Sequence, residues 1–256
     1  MQDLFSLQDK VVLITGGYGY LGTAITKGLL KCGATVVVLA RNKEKFEETF
    51  SNQNVSFQYL DIDSSKSIKE AYQAVFDNHG KIDALINNAF HVKGNKPESL
   101  SDDEWNESID GSLNSIYRCI REVLPFMKKN KGGRIINVSS MYGMVAPDFS
   151  VYTDFPQFLN PPHYGAAKAG VVQLTKYFAS FLGTDNILVN AVSPGPFPSE
   201  AVQKNVGFIE ALSSKNPLGR IGKPEELQGI FAFLCSNSSS FITGQNIAVD
   251  GGWTSI

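Results

Sequence analysis

Seven short runs of apolar, mostly β-branched residues recur along the chain, at 11–15, 35–40, 55–60, 84–87, 134–139, 187–193 and 247–249. Most are continuous rather than alternating. A strand with one face in water alternates polar and apolar side chains, so uninterrupted runs belong to strands covered on both faces. Between them lie longer stretches with helical patterning, at 21–32, 43–50, 65–78, 101–129, 163–183 and 224–235. Strand and helix alternate to the end of the chain, which predicts an α/β doubly wound parallel sheet. With no internal repeat, low-complexity tract or inter-domain linker, the 256 residues are expected to form a single domain.

Composition excludes several classes. Lys and Arg number 23 against 25 Asp and Glu, a net charge of −2, so there is no basic excess to displace counterions from a nucleic acid. The densest basic stretch, Lys128, Lys129, Lys131 and Arg134, reads as a solvated helix end. No apolar run approaches the roughly 20 residues that span a bilayer. Met1 to Phe5 lack a basic region followed by an apolar stretch, so no secretory signal is expected. Cys32, Cys119 and Cys235 form no C-x-x-C pair and no even framework, which suits a reducing cytoplasm. Three scattered histidines make no metal site.

Two segments break the rhythm. Residues 144–162 hold four prolines and many aromatic residues, and 194–217 open with Pro-Gly-Pro-Phe-Pro. Both read as long loops, and their apolar content favours lids over a site.

Directly after the first run comes Thr15-Gly16-Gly17-Tyr18-Gly19-Tyr20-Leu21-Gly22, at the start of a helical stretch. Glycines there permit a sharp turn and close approach of the backbone to a pyrophosphate, which the helix N-terminus then attracts. This is the phosphate cradle of a dinucleotide-binding Rossmann fold. The second strand of such a site usually ends in a carboxylate that binds the ribose 2′-hydroxyl. Here it ends Ala40-Arg41-Asn42-Lys43. A guanidinium suits a 2′-phosphate, so NADP(H) is favoured over NAD(H). The plainer reading makes Arg41 and Lys43 solvated first-turn residues.

Tyr164 and Lys168 stand at i and i+4 on one helix face, just after a strand ending Asn137-Val138-Ser139-Ser140. A doubly wound sheet binds its ligands at that carboxyl edge. With Asp61 and Ile62 after the third strand, Asn87-Asn88-Ala89 after the fourth, Asn190 with Pro194-Gly195, and Thr243-Gly244-Gln245 before Asp250-Gly251-Gly252, the chain resembles the short-chain dehydrogenase/reductase family along nearly its whole length. The resemblance implies one NAD(P)-binding Rossmann domain over 1–256. It implies that Asp61 holds the adenine, that Asn87 and Ala89 line the cofactor cleft, and that Pro194 and Gly195 lie beside the nicotinamide. Tyr164 would be the acid/base, and Lys168 would favour the phenolate and bind ribose hydroxyls. A free phenol titrates near 10, so it needs such a nearby cation at neutral pH. Ser140 would orient the substrate oxygen. The family also implies a homotetramer, or a homodimer, with helix-helix interfaces in which Trp253 would serve as a buried anchor.

Three departures from the family pattern stand out. Tyr20 occupies the place of the middle cradle glycine, giving the spacing of the family's extended branch, although the chain has no room for that branch's larger substrate region. Registering Trp105 and Leu113 puts Ser112 where the family has an asparagine of its proton relay, with Asn114 two residues on. Ser140 and Tyr164 are 24 positions apart, roughly ten more than is usual in the family. Bacterial members associated with glycan and flagellin sugar modification carry a similar longer segment. Its Tyr142, Tyr152, Phe155 and Phe158 could stack on a sugar or an acyl chain, or simply pack, and His163 beside Tyr164 could touch substrate.

The expected activity is NADP(H)-dependent interconversion of a carbonyl and a secondary alcohol in a small molecule, with a sugar-like or polyol substrate. The nearest enzymatic alternative is 3-oxoacyl-carrier-protein reductase, which should show a basic patch, suggested only by Lys204, Lys215, Arg220 and Lys223. An alternative of another class is a non-catalytic NADP(H)-binding redox sensor, motivated by Ser112 and the unusual cradle.

Overall fold

The computed structural model describes residues 4–51, 53–94 and 96–255. Met1, Gln2 and Asp3, part of the N-terminal stretch discussed above, lie outside them. Seven strands form one parallel sheet in the order β3-β2-β1-β4-β5-β6-β7. They are β1 (Val11–Thr15), β2 (Thr35–Ala40), β3 (Ser56–Tyr59), β4 (Ala84–Asn87), β5 (Gly133–Val138), β6 (Ile187–Pro194) and β7 (Asn246–Val249). All seven expected runs are strands, and Rossmann topology follows.

The helices are α1 (Tyr20–Lys31), α2 (Lys43–Phe50), α3 (Ser65–His79), α4 (Asp102–Ile109), α5 (Ser115–Lys129), α6 (Pro162–Leu182), α7 (Glu200–Gln203), α8 (Val206–Lys215) and α9 (Gln228–Cys235). One face of the sheet packs on α3, α5 and α6 through Ile68, Tyr72, Ile120, Val123, Val171 and Leu182. The other packs on α1, α2 and α9 through Ile25, Leu29, Phe46, Phe231 and Leu234. Each such large apolar side chain contributes about 1.5–3 kcal/mol on burial, several times a solvated pair such as Lys66–Glu70 at about 0–1 kcal/mol. The two covered faces hold the fold, and the surface charges only decorate it.

Three sequence expectations change. The stretch 101–129 is not one helix: a π turn, Asp110–Asn114, separates α4 from α5. Gly111 sits in that turn, where a Cβ would come within 2.4 Å of the His91 ring, and the Ser115 hydroxyl donates to the Gly111 carbonyl at 2.8 Å. Such hydroxyl back-bonding competes with the regular helical ladder. The stretch 224–235 begins as a 3-10 turn, Pro224–Leu227, before α9. The long segments are not plain loops either. Residues 144–162 contain 3-10 turns at Phe149–Tyr152 and Pro156–Phe158, and 194–217 contain α7 and α8.

The two long segments meet in a third apolar cluster formed by Met141, Tyr142, Val151, Tyr152, Phe208, Leu212 and Trp253. Phe208 stacks against Phe158 with ring centroids 4.5 Å apart, and Lys215 of the second segment pairs with Asp148 of the first at 2.8 Å. Trp253, expected as an anchor between subunits, is spent inside its own chain, because this cluster already covers it.

Inside the sheet, Asn87 donates to Asn137 at 2.8 Å, and Asn137 donates to the Thr175 hydroxyl of α6 at 2.9 Å. Asn137 is fully buried. Replacing Thr175 by valine keeps the shape and strands that amide, so Thr175→Val should lower unfolding free energy by about 1–3 kcal/mol in urea titrations.

Candidate active site

At the carboxyl edge of the sheet β1 and β4 are neighbours, and Thr15 joins their ends. Its hydroxyl accepts the backbone N–H groups of Asn88 and Ala89, each at 3.0 Å. The Asn88 amide in return donates to the carbonyls of Thr15 and Gly16 at 3.0 and 3.1 Å. A cleft of about 430 Å³ opens above this clamp. Gly16, Tyr18, Gly19, Tyr20, Leu21 and Gly22 form one wall, with Asn88 and Ala89 beside them, and Ser140, Tyr164, Lys168, Pro194 and Gly195 lie opposite.

The cradle fits a dinucleotide. Gly16 has φ +63°, a conformation that favours glycine, and a Cβ on Gly22 would lie 2.3 Å from the Gly16 carbonyl oxygen. Gly19 caps α1 without a side chain, and the first turn carries no acidic residue. The helix therefore offers its amides and positive end to the cleft, where phosphates are favoured.

Ser140, buried after β5, accepts the Tyr142 N–H on its hydroxyl at 3.1 Å. An amide can only donate, so the Ser140 proton remains available to another acceptor. Tyr164 and Lys168 lie on the first turns of α6. The Lys168 ammonium is buried, donates to the Val138 carbonyl at 2.8 Å, and stands 4.7 Å from the ring centre of Phe90 and 5.6 Å from that of Tyr164. Burial pulls its pKa down to about 7. Burial also raises the Tyr164 phenol above 10, with Ser140 acting in the lowering direction and Tyr152 in the raising one. The expected depression of the phenol by the ammonium is thus not the balance in this structure; desolvation dominates both groups.

Other expected residues sit around this centre or behind it. Ser112 is fully buried in the π turn and donates to the His91 carbonyl at 3.1 Å, while the Asn114 amide donates to the Asp110 carboxylate at 3.0 Å. Asn87 lies behind the cleft wall, with its Oδ1 left without a partner. Gly17 is packed against Ile14 and Val38 below the cradle. Asp61 receives the Asp63 N–H, and buried Ile62 offers its carbonyl to Arg118. Arg41 is exposed at the end of β2, next to Asn42, which caps α2. His163 is fully buried, bonded to the Lys93 carbonyl at 2.7 Å and edge-on to Trp105, so it supports α6 and is closed off from the cleft.

Sequence reasoning missed Phe90, Val138, Ser139, Phe197 and Ser199, which also line the cleft. It also missed Lys45, whose ammonium stands 5.6 Å from the ring centre of Tyr18. The closing motifs prove structural: Asn190 ties β6 to the turn before β7 through Ile242 and Gln245, and Asp250 holds the N–H groups of Gly252 and Thr254.

Comparison with known proteins agrees with this geometry. A family model described as enoyl-(acyl carrier protein) reductase matches residues 20–254. The chain is 34% identical over 254 residues to the 3-oxoacyl-(acyl-carrier-protein) reductase FabG of Thermotoga maritima, covering 96% of this chain and 98% of that one. The structure of a gluconate 5-dehydrogenase from Burkholderia cenocepacia, in complex with NADP and tartrate, matches with a TM-score of 0.89 at 28% identity, covering 99% and 98%. A short chain dehydrogenase from Leptospira borgpetersenii with bound NAD+ matches with a TM-score of 0.86 at 32% identity, covering 99% and 96%. The chain belongs to the short-chain dehydrogenase/reductase family and is an oxidoreductase of the CH–OH/C=O type.

The buried ammonium has a thermodynamic signature. A lysine whose folded pKa lies near 7 and whose ordinary value is 10.5 is charged in the unfolded chain but neutral in the folded one between those limits. Folding therefore carries its full charging cost below pH 7, and stability gains from this group as pH rises from 7 to 10.5. Lys168→Met should remove that gain: in urea titrations of the cofactor-free protein the variant should be more stable than wild type below pH 7, with the advantage shrinking toward pH 10.

Proposed function

We propose that this protein is an NADP(H)-dependent oxidoreductase that interconverts a carbonyl and a secondary alcohol, with Tyr164 as the acid/base. The observation that carries the reading is the meeting of Ser140, Tyr164 and Lys168 in the same cleft as the glycine cradle. That constellation also disfavours a sensor without chemistry. When bound, the nicotinamide supplies or accepts the hydride. Ser140 donates its uncommitted proton to the substrate oxygen and holds it toward the phenol. Tyr164 gives its proton to that oxygen as negative charge develops there, or takes one from the alcohol in the reverse direction. Lys168, 5.6 Å from the Tyr164 ring centre, would favour the phenolate when it is protonated, and Ser112 anchors the π turn. Pro194, Gly195 and Ala89 would bound the nicotinamide end, and Asp61, with Ile62, the adenine end. Asn87 and Asn88 brace the wall between. Tyr164→Phe should bind NADPH within a fewfold of wild type while turnover falls about 10²- to 10⁴-fold, measured by fluorescence titration and absorbance.

NADP(H) is preferred over NAD(H) on the strength of Arg41 just after β2 and Lys45 in the first turn of α2, with no carboxylate at the strand's tip. Lys43 is paired with Glu47 at 3.6 Å and contributes less. Arg41→Ala should weaken NADPH binding roughly 10- to 100-fold, the worth of a charge-assisted hydrogen bond, and leave NADH binding unchanged.

For the substrate we favour a polar, sugar-like or polyol molecule over an acyl carrier. Of the four cations considered for a carrier-protein patch, Lys215 is neutralised by Asp148 and Arg220 by Glu226. The substrate lids are 144–162 and 194–217. Self-association through α5 and α6, as a homotetramer or homodimer, is supported by Tyr117, Tyr177 and Phe181, all exposed on those helices. A cytoplasmic setting is supported by Cys119 and Cys235, buried thiols that form no disulfide. Among the described residues no helix is long and apolar enough to cross a membrane.

A further inference from the structure

Where the family pattern places the middle cradle glycine, this chain has a tyrosine whose hydroxyl leaves the cradle. Tyr20 opens α1, and its ring lines the cleft together with Phe197 and Ser199 of the second lid. The Tyr20 hydroxyl accepts from the Gln203 amide nitrogen at 2.8 Å, bridging 183 positions of sequence. The same nitrogen donates to the Pro198 carbonyl at 2.8 Å. An amide NH₂ has two protons, so one closes the lid on itself and the other fastens it to the cradle.

The fastening is the lid's polar tie to α1; its other ties are Phe197 packed against the core beside α1, Val202 packed against the aromatic cluster, and the Pro196 carbonyl, which accepts the Gly222 N–H at 3.0 Å. α7 is four residues long, far below the length at which a helix is stable alone. Among the described residues no other side-chain hydrogen bond joins α7 to α1. Beyond α7 the chain is secured elsewhere, through Phe208 in the aromatic cluster and the Lys215–Asp148 pair. Residues 198–203 thus form a short flap held by the packing of Phe197 and Val202 and, toward α1, by one side-chain hydrogen bond among the described residues.

We propose that Tyr20 is a positioning residue that latches the lid to the cofactor cradle through Gln203, and that this latch must open for the dinucleotide to enter or leave. The proposal rests on the reading of the cleft as the dinucleotide site. The latch does not respond to neutral pH: burial, with Glu200 and Glu225 facing the hydroxyl, holds the phenol above 10 against the lowering effect of Gln203.

Tyr20→Phe removes the hydroxyl and keeps the ring; Gln203→Ala removes the other half. In the full-length protein without cofactor, amides at 198–205 should exchange with deuterium two to ten times faster in either variant, the range expected for one neutral hydrogen bond, while amides of β1 and β5 exchange as in wild type. In stopped flow, NADPH dissociation should accelerate by the same factor in either variant, with the double variant no faster than the singles. Unchanged exchange at 198–205, or unchanged NADPH dissociation in both single variants, would overturn the latch; so would effects that add in the double variant. If wild type fails to bind NADPH, the dinucleotide reading fails instead, and the cofactor-free exchange comparison still decides whether the clasp holds the lid.

Discussion

The site depends on a constraint at the centre of the sheet. β1 and β4 run side by side, yet β1 hands the chain to α1 and the β2 side of the sheet, while β4 leads toward β5 on the other. Backbone diverging from two adjacent strand ends leaves a crevice, and its exposed amides need partners. The Thr15 hydroxyl meets that need by accepting two N–H groups from the β4 end while Asn88 donates back across the gap. The crevice is held open at a fixed width and floored by satisfied groups. Phosphates can lie against the cradle only because Gly16 and Gly22 approach each other above that floor more closely than any side chain would allow.

A second constraint sits across the cleft. Among the described residues no carboxylate pairs with the buried Lys168; the Val138 carbonyl and two aromatic faces hold it. Taking an unpaired ammonium out of water is costly, which is why burial moves its pKa to about 7. A structural lysine would gain nothing from such a position. A lysine that must favour a phenolate in the working state gains sensitivity: near its own midpoint, a small change in nearby charge changes its protonation strongly. Tyr164 is shifted the opposite way by the same desolvation, so burial favours the neutral form of each group.

Much of this was legible in the sequence, and the reasons are particular. Runs such as Val11–Thr15 and Ile187–Pro194 read as buried strands because two-sided burial imposes uninterrupted apolarity. Tyr164 and Lys168 read correctly as neighbours because helical spacing is rigid. The π turn did not show, since the patterning of 101–129 continues through it, and the contact that leaves no room for a side chain at Gly111, the His91 ring, is tertiary. His163 looked available because it adjoins Tyr164; one step along a helix turns a side chain by about 100°, toward Trp105 and Lys93. The sign of the Lys168 and Tyr164 shifts was equally hidden, because burial is a property of the packed chain.

The two long segments fit the same logic. Read separately, 144–162 and 194–217 looked like independent lids. Packed together through Phe155, Phe158, Phe208 and Trp253, they make one apolar block beside the site, and its cohesion restricts what can move. The Tyr142 and Tyr152 hydroxyls meet at 2.6 Å inside that block, and the Tyr142 amide fixes the Ser140 hydroxyl. The extra length between Ser140 and Tyr164 is therefore coupled to the reacting groups through one backbone hydrogen bond. A longer segment in this position does more than widen a pocket. It ties the serine, through the Tyr142 N–H on its hydroxyl, to a block that the second long segment also packs against.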